Sequence, residues 1–128
     1  MVVEKERENN KVSECVVVVS KVTETPFWYT LSLINGKWKM IILYLLSVKS
    51  PIRFNELHKM LGKVTFKVLS EQLKQLESDD LIIRKEYPQI PPKVEYSLSE
   101  RGESLIPILD AMCDWGFHQQ QEISKSNV

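Results

Sequence analysis

The chain has 128 residues, of which 43% are hydrophobic and 27% charged, a balance that favours one globular domain and excludes a disordered or fibrous protein. Its formal net charge is zero, which argues against a strongly basic nucleic-acid binder. The longest apolar runs, at 15–19 and 40–46, are far shorter than the ~20 residues of a membrane span. Residues 4–8 mix both charges, unlike a secretory signal, so we expect a cytoplasmic protein with no membrane partner.

Charge is unevenly distributed along the chain. Residues 37–101 contain 12 Lys and Arg against 8 Asp and Glu, a local charge of +4, whereas the remainder contains 5 against 9, or −4. A basic middle between acidic ends is compatible either with a polyanionic partner or with an ordinary solvated surface.

Cysteine and histidine are too scattered to predict metal or cofactor chemistry. Cys15 and Cys113 are far apart with no CxxC spacing, and His58 and His118 have no companions at ligand spacing. We therefore expect free thiols, no metal site and no cofactor.

The predicted elements begin after an N-terminal extension, 1–24, whose β-branched run at 15–19 is either a strand or a segment packed on a partner. Thr25 followed by Pro26 is typical of a helix start, and Asn35-Gly36 of its end. A second helix over 37–46 has the wide apolar stripe of a core helix, formed by Trp38, Ile41, Ile42, Leu45 and Leu46.

Two short helices follow. Phe54, Leu57 and Leu61 predict an amphipathic helix that ends near Gly62. The next helix, 65–78, has Thr65 as its cap, and its packing face is predicted to contain Phe66, Leu69, Leu73 and Leu76. The pair predicts a helix-turn-helix.

Two β-like segments, 81–87 and 93–98, are joined by the proline-rich loop 88–92. In the second, Val94, Tyr96 and Leu98 alternate with polar residues, as in a half-buried strand. A hairpin directly after a helix-turn-helix is a wing.

Ser99 is placed to cap a last helix, which Pro107 should bend. Its apolar stripe is wider than a small domain can cover, which favours a subunit interface: Leu105, Ile108, Leu109, Met112 and Trp115. The domain is predicted to end at 118, followed by a tail over 119–128. The fold class is mainly α with a small β-hairpin, a winged helix-turn-helix with N- and C-terminal dimerisation helices.

Four segments resemble those that define HxlR-type winged helix-turn-helix regulators of the MarR-like superfamily. They are Ile-Asn-Gly-Lys-Trp at 34–38, Arg-Phe-Asn-Glu-Leu at 53–57, Leu-Ser-Glu-Gln-Leu at 69–73 and the longer segment Tyr-Pro-Gln-Ile-Pro-Pro-Lys-Val-Glu-Tyr-Ser-Leu at 87–98. The resemblance covers about 25–116 and implies a transcriptional regulator that binds double-stranded DNA as a homodimer, two recognition helices entering successive major grooves.

The resemblance also implies that the first and last helices form the dimer interface, to which Phe27, Trp28 and Leu31 would then belong. Many members of the family carry a cysteine directly before the proline of the first helix, and in some this thiol senses oxidants. Thr25 occupies that position here and cannot form a thiolate. Cys15 is the candidate for a redox role in its place, and the effector ligand is unknown.

The candidate DNA contacts lie on the recognition helix, the wing and one flanking position. They are Thr65, Lys67, Ser70, Glu71 and Lys74, with Arg84, Gln89 and Lys93 on the wing, and Arg53. Glu71 either accepts from a cytosine or pairs with Lys67 or Lys74. Arg53 either binds phosphate or pairs with an acidic neighbour such as Glu56.

Other functions have less support in the sequence. Zero net charge leaves open a winged-helix protein-protein interaction module without DNA binding. No nucleophile-base arrangement, phosphate loop or metal cluster is present, so we do not expect an enzyme. The large aromatic residues Trp28, Trp38, Trp115 and Tyr44 are expected in the core rather than around a ligand cavity.

Overall fold

The computed structural model describes residues 19–126, and the chain divides into two compact units at Asn35–Gly36. In the first unit a 3-10 helix, Val19–Glu24, precedes helix α1, Pro26–Ile34. The Thr25 hydroxyl donates to the Val22 carbonyl at 2.6 Å and accepts from the Trp28 amide at 3.2 Å. These hydrogen bonds confirm the prediction that Thr25 is the N-cap of α1.

The second unit is mostly helical, with one small antiparallel sheet whose strand order is β1-β3-β2. Its elements are α2, Lys37–Val48; β1, Ile52–Arg53; α3, Phe54–Leu61; α4, Phe66–Ser78; β2, Ile82–Tyr87; β3, Lys93–Leu98; α5, Glu100–Glu103; and α6, Ile106–Ser126. This is a winged helix-turn-helix, as predicted.

The core of the second unit forms where α2, the helix-turn-helix and the sheet meet. Its fully buried side chains are aliphatic: Ile42, Leu43, Leu46, Ile52, Leu57, Leu69, Leu73, Leu76, Leu81 and Ile82. The other predicted stripe positions of α2, Trp38, Ile41 and Leu45, are half-buried. On α2 the pattern thus identified Ile42 and Leu46 but missed Leu43, which is also fully buried, and on α4 it identified Leu69, Leu73 and Leu76.

Strand β1 was not predicted. Ile52 pairs with Tyr96 and Arg53 pairs with Glu95, which makes β3 the central strand of three. Two residues are too few to show the alternation by which a strand is recognised in a sequence. Strand β1 can therefore be recognised only in the structure, from its pairing with β3.

A Schellman motif ends α4. The Asp80 amide donates to the Glu77 carbonyl at 2.9 Å, and the Leu81 amide donates to the Leu76 carbonyl at 2.9 Å. Asp80 adopts φ 60°, the left-handed conformation expected at this position. Leu76 and Leu81 are both fully buried, which supplies the hydrophobic contact typical of the motif.

The last helices are attached to the start of the wing at Leu81. The Leu81 carbonyl accepts from the Ser99 amide at 3.1 Å, while the Ser99 hydroxyl donates to the Asp80 carbonyl at 2.6 Å and caps the Gly102 amide. A Cβ atom on Gly102 would lie 2.0 Å from the Leu81 carbonyl oxygen. Only glycine allows this close approach.

The prediction of one long, bent last helix is wrong. The chain forms α5, a turn at Ser104 and Leu105, and then α6, in which Pro107 is the second residue. Proline has no amide hydrogen to donate to the preceding turn and suits a first turn, so the helix restarts here rather than bending. Helix α6 continues to Ser126, so residues 119–126 of the expected tail are helical.

Among the described residues, no single helix is long and apolar enough to cross a membrane. Helices α1 and α2 reach the length and hydropathy of a membrane span only when the two are counted as one segment. Over the same part of the chain, no three His, Cys, Asp or Glu side chains are grouped as metal ligands.

The contact at Gly102 predicts a strongly destabilised variant. We expect Gly102→Ala to lower the free energy of unfolding by about 1 to 3 kcal/mol, because the methyl group must displace backbone rather than a flexible side chain. Urea denaturation followed by circular dichroism measures the change. Glu103→Ala, an exposed neighbour in α5, is the control and should change stability by less than about 0.5 kcal/mol. Equal stabilities of the two variants would contradict the prediction.

Candidate nucleic-acid interface

The helix-turn-helix is α3, the turn 62–65 and α4. Gly62 turns the chain at φ 79°, and the Thr65 hydroxyl accepts from the Val68 amide at 3.1 Å as the N-cap of α4. Val64 and Leu69, both buried, occupy the positions of a hydrophobic staple, which sets the angle at which the chain enters α4.

Helix α4 has a buried side and a polar, solvent-facing side. Leu69, Leu73 and Leu76 are buried, whereas the predicted contacts Thr65, Lys67, Glu71 and Lys74 are exposed and Ser70 is half-buried. Within residues 19–126, Glu71 forms no ion pair with Lys67 or Lys74. The side chains of Lys67, Glu71 and Lys74 are therefore not held together by ion pairs.

The outer face of the sheet is a cluster of cations around one carboxylate. The register places Arg53 and Lys85 on either side of Glu95, and Lys93 points to the same face. The Lys93 ammonium lies 3.1 Å from Glu95 and 4.6 Å from the centre of the Tyr87 ring, with Lys85 4.9 Å from that ring. Lys93 is thus held in place by charge and by cation–π attraction.

Arg84 lies on the opposite, inner face of the hairpin, where it is paired with Tyr96. A hydrogen bond with Tyr96 raises the pKa of Arg84, and Glu86, 3.2 Å away, adds to the effect. Burial raises the pKa of Tyr96 in turn. The Arg84 guanidinium is a fixed cation at the edge of the core.

A cleft of about 830 Å³ opens between α3, α4 and the wing. Five of the predicted contacts line it, namely Arg53, Ser70, Lys74, Arg84 and Lys93. Lys59 and Asn55 of α3 also line it, and sequence reasoning missed both. Thr65, Lys67, Glu71 and Gln89 are exposed outside the cleft.

The wing tip is a solvent-exposed loop at 88–92. Gln89 is exposed, as the wing-contact prediction requires, and its neighbour Ile90 is fully exposed.

Arg53 does not pair with Glu56. Glu56 instead forms an ion pair with Lys49, at the end of α2, and Arg53 remains exposed beside Glu95. The acidic neighbour of Arg53 is thus Glu95 rather than Glu56, and phosphate binding by Arg53 stays a prediction.

Phe66 was predicted on the packing face of α4, and this is wrong, because 58% of the side chain is exposed. It is the first residue of the helix, one turn before the core begins at Leu69. Its ring stacks on His58 at 4.1 Å between centroids, with an angle of 7° between the planes. His58 is therefore a stacking partner, a role that its sequence position did not predict.

The predicted interface residues differ in exposure. On α1, Phe27 is 63% and Trp28 is 41% exposed, and Leu31 is half-buried. On α6, Ile108, Met112 and Trp115 are exposed, whereas Leu109 is buried within the protomer, contrary to its assignment to a surface stripe. Leu105, in the turn before α6, is half-buried.

The thiols agree with expectation where the structure describes them, whereas the large aromatics do not. Cys113 is a free thiol, as predicted, and it is exposed. Cys15 lies outside the described residues. Trp28, Tyr44 and Trp115 are exposed, so the prediction that these aromatics are core residues is wrong.

The geometry around Glu95 predicts how the wing responds to pH. The hydrogen bond from Lys93 lowers the pKa of the Glu95 carboxyl, and the Tyr87 hydroxyl adds to this effect. A lowered pKa in the folded state means that ionised Glu95 stabilises the fold above its unfolded pKa. That contribution disappears as the pH falls through the folded pKa. We expect Lys93→Met to raise the Glu95 pKa towards its ordinary value in a carbon-13 NMR titration.

Lys85→Met, which removes the neighbouring cation, is the control and should leave the Glu95 pKa nearly unchanged. A Glu95 that titrates at its ordinary value in the unmodified protein would refute this account of the wing.

Comparison with known proteins gives the arrangement its context. The chain matches the HxlR-like helix-turn-helix family over residues 33–124. It is 58% identical to an uncharacterised HTH-type transcriptional regulator of Halalkalibacterium halodurans, over 80% of this chain and 90% of that protein. Identity to YdzF of Bacillus subtilis, also described as an HTH-type transcriptional regulator, is 54%, over 75% and 88% of the two chains.

The solved structure of the redox regulator HypR in its reduced form superimposes with a TM-score of 0.72 at 40% identity, covering 79% of this chain and 99% of that one. The fold, the helix-turn-helix motif and the similar proteins all indicate the same family. The chain belongs to the HxlR-like helix-turn-helix family of DNA-binding transcriptional regulators.

Proposed function

We propose that this regulator binds a specific double-stranded DNA sequence as a homodimer, with 65–78 as the recognition helix and 81–98 as the wing. The observation that carries the proposal is the cleft between α4 and the wing, which is lined by five cations, Arg53, Lys59, Lys74, Arg84 and Lys93, and by only two carboxylates, Glu56 and Glu77. Guanidinium and ammonium groups along one surface are the groups that neutralise a phosphate backbone.

The recognition helix supplies the contacts to the major groove. Thr65, Lys67, Ser70, Glu71 and Lys74 lie on the side of α4 that the core does not use. An α-helix fits the major groove of B-DNA, with its N-terminal residues next to the base edges. Lys67 and Lys74, which no carboxylate neutralises among the described residues, are the strongest candidates for phosphate contacts.

Of the three cations on the wing, Arg84 and Lys93 are held in ion pairs, whereas Lys85 forms none with the described residues. Arg84 and Lys93 each have a carboxylate about 3 Å away, at 3.2 and 3.1 Å respectively. These pairs position the cations and reduce their net field, so we assign the wing to backbone contacts near the groove edge. Gln89 in the exposed loop is the wing residue that we assign to the minor groove.

A second copy of the chain is the partner that we propose for α6. Ile108, Met112, Trp115 and Ile123 are exposed at helical spacing, so they form one apolar stripe along the helix. A symmetric dimer built on this stripe presents two recognition helices to one face of the DNA. Phe27, Trp28 and Leu31 of α1 remain predicted interface residues.

Further parts of the proposal rest on family membership. The relatives are transcriptional regulators, which supports a role without catalysis and without a cofactor, in the cytoplasm where the DNA target lies. The same membership supports DNA, rather than another protein, as the partner of the cleft. Thr25 acts as a helix cap and has no thiol, so we infer that any signal reaches the protein through another group.

Replacing the cations of α4 tests the DNA surface. We expect Lys67→Ala and Lys74→Ala each to weaken DNA binding roughly five-fold near physiological salt. Each should also reduce the slope of log affinity against log salt by about one, because one phosphate contact is lost. Fluorescence anisotropy with a duplex obtained by binding-site selection measures both quantities.

Lys125→Ala removes an exposed cation from the last turn of α6 and is the matched control. It should leave the affinity and the salt slope unchanged, and thermal unfolding should show that all three variants are folded. Unaltered affinity in both α4 variants would show that the DNA surface is assigned wrongly.

A charge in the α6 stripe tests the dimer. We expect Trp115→Glu to weaken dimerisation at least about 100-fold, because each subunit would bury an unpaired carboxylate in the interface. Sedimentation velocity at micromolar concentrations measures the oligomeric state.

Phe117→Glu is the matched control, since Phe117 is 56% exposed but lies about half a turn around α6 from Trp115. This variant should remain a dimer. A monomeric unmodified protein, or a Trp115→Glu variant that still sediments as a dimer, would rule out this interface.

A further inference from the structure

An aromatic side chain stands exposed at the start of the recognition helix. Phe66 is the first residue of α4 and is 58% exposed, between the exposed polar residues Thr65 and Lys67. The staple positions before and after it are occupied by Val64 and Leu69, which are 4% and 0% exposed. The packing of the helix start is therefore complete without the Phe66 ring.

The ring is nevertheless held in one orientation. Phe66 stacks nearly parallel on His58, 4.1 Å away, and the Phe54 ring lies 5.9 Å away at an angle of 16°. These stacked partners belong to α3, so the first helix of the motif supports an apolar group on the second. A side chain fixed in this way loses little conformational entropy when it makes a contact.

We propose that Phe66 contacts the 5-methyl group of a thymine and contributes to the choice of DNA sequence. In the major groove, thymine is the base that presents a methyl group, and phenylalanine is one of the side chains that make apolar contact with it. The N-terminal residues of a recognition helix are those that reach base edges. This inference rests on the proposed function, because it needs α4 to lie in the major groove.

Uracil substitution isolates the methyl group, because uracil retains every hydrogen-bonding atom of thymine and lacks only the methyl. A duplex is first selected with the unmodified protein, and each thymine is then replaced singly by uracil. We expect one thymine in each half-site at which uracil weakens binding about four-fold, the effect of leaving one methyl group unburied.

Phe66→Ala should bind the thymine and uracil duplexes equally, with an affinity for the thymine duplex also reduced about four-fold. Lys67→Ala is the matched control from the next position. It should weaken binding to both duplexes and keep the thymine preference, because its contact is electrostatic. Phe66→Ala should still unfold in one cooperative transition at a slightly lower temperature, since the variant loses the stacking on His58 but no core contact.

The outcomes separate this inference from the one on which it rests. If the unmodified protein selects no DNA sequence, the proposed function fails. If it selects a sequence but no thymine responds to uracil, or if Phe66→Ala keeps the full thymine preference, DNA binding stands and the role of Phe66 is refuted. The uracil scan uses only the unmodified protein, so a scan in which no thymine responds refutes the role of Phe66 even if the alanine variant does not fold. If that variant does not fold, Phe66→Leu replaces it and should likewise reduce the thymine preference.

Discussion

The contact between Leu81 and the segment that begins at Ser99 is the constraint on which the arrangement of the DNA-binding elements depends. The Leu81 amide closes the Schellman motif of α4, and the Leu81 carbonyl accepts from Ser99 and lies against Gly102. One residue therefore joins the end of the recognition helix, the first strand of the wing and the start of the last helices. These backbone hydrogen bonds fix how α4 is placed relative to the wing, which is the arrangement that the DNA-binding mode we propose requires.

The zero net charge of the chain is reconciled with DNA binding by the way in which its charges are paired. On the wing, Arg84 and Lys93 each have a carboxylate two residues along the same strand. On α4, Lys67 and Lys74 have no such partner within residues 19–126. The exposed side chains of Arg53 and Lys85 likewise form no ion pair in this part of the chain. A chain with zero net charge thus retains exposed cations on α4 and on the sheet, and such cations are the groups that neutralise phosphates in the DNA complex that we propose.

Aliphatic and aromatic side chains are also separated between the core and the surface. Within the second unit the fully buried core is almost wholly aliphatic, while aromatic rings such as Trp115 and Phe66 remain exposed. Tryptophan and phenylalanine provide large contact areas with few rotatable bonds, which suits surfaces that are covered only in a complex. The second unit thus has an aliphatic core and exposed aromatic groups, which the dimer and the DNA complex that we propose would cover.

The sequence by itself determined the order of the helices, the caps at Thr25, Thr65 and Ser99, and the hairpin, because these depend on local periodicity and on hydrogen bonds within a few residues. Only the tertiary structure decided the features that depend on distant partners. Strand β1 exists because Ile52 pairs with Tyr96, and Glu56 is engaged by Lys49 rather than by Arg53. Helical spacing placed Leu109 and Phe66 on the wrong sides, because periodicity records which residues share a face but not where the core ends.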